Sequence, residues 1–271
     1  MNTDYTYLNH LQDLIAQELQ RIEEMKAAED FLDYSKLDTI VVGLAAGDGI
    51  GPVIMEQTKR VLSHLLEDEI ASHRVELREI EGLTLENRVA KMQSVPDDVM
   101  AEIKACHVLL KGPTTTPQAG DGLPNLPSAN LTIRKALDLF ANLRPVKIPS
   151  RNVDWAFFRE NIEGAYLWGS KGIQVTDDLA IDFVVETRQG SERIARAAFE
   201  YAKQNGKDRV CVVTKANIVK TTDGNFLAAC RRVKEDYPGI ALDERLFRTH
   251  GGHSKSCHVV ADVCRFAGRV G

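Results

Sequence analysis

The stretch Ser128–Lys147, SANLTIRKALDLFANLRPVK, decides how the rest of the chain reads. Ile133, Leu137 and Phe140 fall three and four apart, the spacing of a short amphipathic helix, and Ser128 stands where that helix starts. A hydroxyl (Ser128) and an amide (Asn130) at a helix start lie beside free N–H groups and the positive end of the helix dipole, which favours an anion. Arg134 and Arg144 add guanidinium groups that match carboxylate or phosphate with paired donors. The same residues also suit an ordinary N-cap and two solvated arginines. The stretch alone leaves both readings open.

Four other segments stand around it: Gly47–Pro52 (GDGIGP), Lys111–Pro117 (KGPTTTP), Phe158–Tyr166 (FRENIEGAY) and Lys215–Lys220 (KANIVK). In this order and at these separations the set resembles the isocitrate/isopropylmalate dehydrogenase family of metal-dependent decarboxylating dehydrogenases, from about Thr39 to about Phe247. The resemblance implies an α/β fold of that two-domain type, with the C-terminal part of the large domain missing. It divides the chain into an N-terminal helical extension (1–37), the first part of a large α/β domain (38–140), a small domain with a dimer clasp arm (141–247) and an atypical tail (248–271).

Length and composition fit this reading. A chain of 271 residues, 44% hydrophobic and 27% charged, can bury a sizeable core. The net charge of −5 supplies no basic field for nucleic acid. No apolar run reaches the ~18 residues of a membrane span, and the N-terminus lacks a secretory pattern. Five irregularly spaced cysteines point to reduced thiols and a cytoplasmic protein.

Residues 1–37 repeat apolar side chains every three or four positions (Leu8, Leu11, Leu14, Ile15, Leu19, Ile22, Met25), which predicts one long helix packed on the body or on a dimer mate. Thr39–Ala46 predicts a buried parallel strand, and a helical pattern follows the glycine turn through Val53, Ile54, Val61, Leu62 and Leu65. That turn reads G-x-G-x-G rather than G-x-G-x-x-G, which is weak support for a Rossmann site. Further strands are expected at Val75–Ile80, Val108–Leu110, Trp155–Arg159 and Arg209–Thr214, and a half-exposed one at Ala180–Glu186. Helices are expected at Asp97–Lys104 and Glu192–Asn205, the latter closed by Gly206. KGPTTTP and KANIVK then lie at the carboxyl ends of strands, where α/β proteins bind ligands.

The resemblance also implies roles. Arg134, Arg144 and Arg159 would hold the substrate's carboxylates, converging on one anion pocket with Tyr166 nearby. Tyr166 would protonate the enolate carbon, and Lys215, supplied across a homodimer, would assist proton transfer at the hydroxyl. Thr115, Thr116 and Asn217 would contact NAD or NADP. Ser128 and Asn130, standing where isopropylmalate enzymes carry apolar residues, favour isocitrate; isopropylmalate, homoisocitrate and tartrate or malate remain alternatives, as does a non-catalytic regulatory or binding homologue.

The pattern fails after Phe247. The family's chemistry needs Mg2+ or Mn2+ on carboxylates, and its aspartates begin where Arg248, Thr249 and His250 stand here, so no metal ligand is assigned. Asp262 has no recognisable context. The tail is instead rich in His250, His253, Cys257, His258 and Cys264, at spacings that fit no standard zinc finger. A truncated or out-of-frame end, inactive on its own, is the expectation.

Overall fold

The computed structural model describes residues 6–27, 32–117, 120–169, 171–246 and 259–263. The chain forms two compact units, residues 30–137 and residues 1–29 with 138–271.

The first unit is built on three parallel strands in the order β2-β1-β3: β1 (Ile40–Ala45), β2 (Val75–Glu79) and β3 (Val108–Lys111). The β-branched run IVVGLA forms the middle strand because both its edges and much of both faces are covered; Leu44 and Ala45 are buried. Helices α2 (Gly51–Leu65), α3 (Glu67–Ala71), α4 (Leu85–Ala90), α5 (Asp97–Lys104) and α6 (Ala129–Ala136) surround the sheet. Ala45, Ile80, Leu83, Val99 and Ile103 make one core with Ala129 and Ile133 of α6. The apolar periodicity of α2 does not serve that core. Met55 is buried, whereas Ile50, Val53, Ile54, Val61 and Leu65 form a stripe facing water.

Helix α6 begins after Ser128, as its spacing predicts, but is two turns long. Asp138 takes a left-handed backbone (φ 48°), which ends the helical path before Phe140. Phe140 is therefore no part of an amphipathic helical face: it is buried in the core of the second unit, under the Arg193 guanidinium at 4.4 Å.

The second unit holds a five-stranded sheet in the order β4-β5-β10-β8-β9. Its strands are β4 (Ala141–Ile148), β5 (Val153–Glu160), β8 (Arg209–Thr214), β9 (Ala241–Leu246) and β10 (Val259–Val263). Only β4 runs antiparallel to its neighbour. Helices α1 (Thr6–Ala27), α7 (Arg188–Gln204) and α8 (Thr222–Lys234) complete the unit, and α7 supplies Ile194, Ala195, Ala198 and Phe199 to its core. The expected strand over Ala180–Glu186 is only partly one. A separate hairpin, β6 (Ile173–Thr176) with β7 (Leu179–Ile181), stops at Ile181, and Val185 makes a lone bridge to Gly164.

The tail reads differently in the structure. Asp262, without context in the sequence, lies in the middle strand, in register with Arg159 on one side and Val213 on the other. His250, His253, Cys257, His258 and Cys264 lie outside the described residues.

Candidate active site

In the second unit the antiparallel pairing of β4 and β5 puts Arg144 opposite Phe157 and Asn142 opposite Arg159. Residues opposite or two apart share a face, so Arg144, Asn142 and Arg159 project from the same side of the sheet. Arg144 Nε donates to Asn142 Oδ1 at 3.1 Å. Arg159 Nη2 donates to the Tyr166 hydroxyl at 2.7 Å, and its guanidinium stands 5.5 Å from the Tyr166 ring centroid. A guanidinium on the phenol oxygen leaves the phenol's own proton to be donated elsewhere.

The loop that carries Tyr166 back to Arg159 is built on two buried carboxyl groups. Glu160 Oε2 accepts the N–H groups of Ile162 and Glu163. Glu163 accepts the N–H and hydroxyl of Thr187 at 2.8 and 2.7 Å, at the start of α7. A Cβ on Gly190 would stand 2.3 Å from the Glu163 carboxylate, so glycine is required there for the close approach. Both acids lie inside FRENIEGAY, but their burial is a tertiary fact that the motif does not announce.

Lys215 and Asn217 follow β8. Arg159, Asp262 and Val213 are in register on the parallel strands β5, β10 and β8, so Lys215 emerges at the same carboxyl edge of the sheet as Arg159. Asp223, buried in the first turn of α8, accepts the backbone N–H of Lys215, and the Thr214 hydroxyl accepts that of Ala216. Asp223 thus shapes the loop, a contribution that seven intervening residues hide from a motif reading.

The remaining predicted residues belong to the first unit. Asp48, after the left-handed Gly47, accepts the N–H of Leu85 with Oδ1 and of Thr115 with Oδ2, both at 2.7 Å. The buried Arg88 donates to the carbonyls of Ser94 and Thr115 at 2.7 Å. Together they fix the KGPTTTP loop, with the Thr115 and Thr116 side chains at the surface. The Thr114 hydroxyl donates to Asn130 Oδ1 at 3.3 Å. Ser128 occupies the N-cap of α6 without a side-chain cap bond. Burial and the positive charges of Arg134 and Arg88 push the Lys111 ammonium down from its ordinary range, against the pull of Asp48. Lys111 and Arg134 therefore belong to one cationic group, and Lys111 is an addition to the predicted set. A hollow of about 320 Å3 in this unit, lined by Leu44, Pro52, Met55, Lys59 and Glu79 among others, contains none of the predicted residues.

Arg144, Arg159 and Tyr166 therefore come together in one unit, with Lys215 at the same sheet edge. Ser128, Asn130, Arg134, Thr115 and Thr116 share the other.

Residues 41–249 match the family described as isocitrate/isopropylmalate dehydrogenase. The chain belongs to this family. Isocitrate dehydrogenase [NAD] subunit 2, mitochondrial, of Schizosaccharomyces pombe is 35% identical over 84% of the chain and 58% of its own length. Isocitrate dehydrogenase [NAD] regulatory subunit 3, mitochondrial, of Arabidopsis thaliana is 37% identical over 75% of the chain and 52% of its own length. The crystal structure of isocitrate dehydrogenase from Methylococcus capsulatus superposes with a TM-score of 0.68 at 31% identity, covering 83% of this chain and 67% of that one. The chain thus spans little more than half the length of the curated relatives named here.

The family's cofactors meet this chain unevenly. Among the described residues no group of three or more His, Cys, Asp or Glu side chains is arranged to hold a metal ion. Thr115 and Thr116 in the first unit and Asn217 in the second are exposed.

Proposed function

We propose that this chain binds a di- or tricarboxylic 2-hydroxy acid, isocitrate in preference, as an NAD- or NADP-dependent decarboxylating dehydrogenase of its family does, and that the 271 residues alone do not complete the reaction. The Arg159–Tyr166 bond, with Arg144 on the same sheet face, carries this reading. Two guanidinium groups there can grip carboxylates bidentately. Held at its oxygen by Arg159, Tyr166 keeps its hydroxyl proton for a carbon that becomes basic after loss of carbon dioxide. Lys215 would take or return the proton of the substrate hydroxyl, and Arg134, Ser128 and Asn130 would meet further carboxylate oxygens.

A second reading is favoured by the relative named as a regulatory subunit: a homologue that binds carboxylate without turning it over. A homodimer and a cytoplasmic location belong to the same proposal. No helix among the described residues is long and apolar enough to cross a membrane.

Calorimetric titration with isocitrate tests the site. A charge-assisted hydrogen bond is worth about 1.5–3 kcal/mol, so Arg159→Ala should weaken binding roughly ten- to a hundredfold, and Tyr166→Phe far less. Equal binding by Arg159→Ala and the parent chain would refute the pocket. An assay with magnesium and either nicotinamide cofactor should give no turnover; robust turnover would show that the tail supplies ligands after all.

A further inference from the structure

Helix α1 precedes the residues that match the family, yet it is packed into the unit that carries Arg159 and Tyr166. Leu14 is 2% exposed within that unit's core, and Leu11 lies against it. One helical turn further on, Glu18 is buried, and Arg21 stands beside it.

The Arg21 guanidinium is shared. Nη2 lies 2.6 Å from Glu18 Oε1 and 2.6 Å from Glu163 Oε1, across 142 residues of sequence. Burial works against the charge on Arg21, but its hydrogen bonds and ion pairs with Glu18 and Glu163 outweigh it and push its pKa up. Glu163 has 1% of its side chain exposed and also receives both donors of Thr187. It therefore pins α1, the loop and the start of α7 at one point.

The helix takes a second hold on the same segment beyond Tyr166. His10 Nε2 meets the Lys171 carbonyl at 3.1 Å, donating in the tautomer that protonates it, and Lys171 Nζ donates to Gln17 Oε1 at 3.2 Å. Tyr166 thus sits between two anchor points, Glu163 and Lys171, both fastened to α1. Between them Gly164 exchanges both backbone hydrogen bonds with Val185, and Leu167 and Trp168 are buried.

We propose that α1, which precedes the residues that match the family, is a strap that sets the position of Tyr166 against Arg159, and that Arg21 is the positioning residue through which it acts. The idea rests on reading Arg159 and Tyr166 as the carboxylate site, but its mechanical part needs no ligand. Without Arg21 the Glu163 carboxylate would be buried with its charge no longer balanced, and relief would come by moving the loop. Such a shift lies only three residues from Tyr166. A displacement of about 1 Å at a reacting group is enough to cost on the order of a hundredfold in rate.

The test uses the full chain labelled with 3-fluorotyrosine, the Tyr166 resonance being assigned by Tyr166→Phe. Arg21→Ala should shift or broaden the Tyr166 signal while Tyr201 and Tyr237, in the core of the same unit, keep theirs. Arg21→Lys should restore the Tyr166 signal in part, since it keeps the charge but loses the fork. If Arg21→Ala does not fold, Arg21→Gln, which keeps length and an amide donor, carries the same comparison. An unmoved Tyr166 signal overturns the strap, and so does an equal movement of Tyr201 and Tyr237, which would mark a general loosening. Failure of isocitrate to bind the parent chain would strike the functional reading and leave this result standing.

Discussion

Glu160 sits at the end of β5, next to the arginine that grips Tyr166, with 2% of its surface exposed. Burial pushes its carboxyl up to about 7, the N–H of Ile162 pulls it back, the Glu163 charge adds to the rise, and the N–H of Glu163 and the charge of Arg193 oppose it. A pKa raised on folding means that the folded chain binds this proton more tightly than the unfolded one. The stabilising contribution is then complete below the ordinary carboxylate range and is lost as pH rises through about 7. At about 1.4 kcal/mol per pKa unit the whole effect is on the order of 3 kcal/mol. Glu160→Gln should accordingly gain on the parent chain from pH 5 to pH 8, because the amide oxygen can still accept the loop N–H groups and carries no charge. Melting curves across that range check it; a constant difference would mean that Glu160 titrates as an exposed acid does. At this scale the sequence is legible where chemistry is local. Arg159 and Tyr166 are seven residues apart within one motif, and the structure joins them. Arg21 and Glu163, or Asp48 and Thr115, meet only after the chain has folded, and no spacing announces them.

Among the elements, the strands rich in β-branched residues were readable because burial on both faces leaves a continuous apolar run, as in β1 and β8. Helix α2 shows where periodicity misleads. Its stripe of Ile50, Val53, Ile54, Val61 and Leu65 is as regular as any core face, but the pattern states only that one side is apolar, not what lies opposite. The β6–β7 hairpin poses the same question more sharply. Two strands alone are marginally stable in water, and Val175, Leu179, Ile181 and Val184 are between 36% and 49% exposed. A second copy of the hairpin, pairing as the family resemblance implies, would cover them. Replacing Leu179 and Ile181 together by aspartate should then halve the mass seen by light scattering. A parent chain that is already monomeric at micromolar concentration would refute the clasp, and so would a mass that the double variant leaves unchanged.

At the scale of the whole molecule, the decisive strand lies beyond the residues that match the family. The residues after Phe247 read as a histidine- and cysteine-rich tail because the only strand signal there is the five-residue run VVADV, too short to stand out from its neighbours. Pairing supplies what pattern could not: β10 lies between β5 and β8 and is parallel to both. Remove it and the five-stranded sheet falls into an antiparallel pair, β4 with β5, and a parallel pair, β8 with β9, each with a newly exposed edge. The loss would also reach the candidate site, since β10 is what separates Arg159 from the strand that delivers Lys215. Proline at Ala261 tests this without shortening the chain. In a middle strand it removes a ladder donor and fixes φ, which is why proline within sheets is confined to edges, first positions and bulges. Ala261→Pro should lower the melting temperature of the second unit markedly, and a chain ended after Leu246 should lower it further or fail to stay in solution. If both melt with the parent chain, β10 is not part of the folded sheet, and the carboxyl edge that aligns Arg159 with Lys215 must be held by β5 and β8 without it.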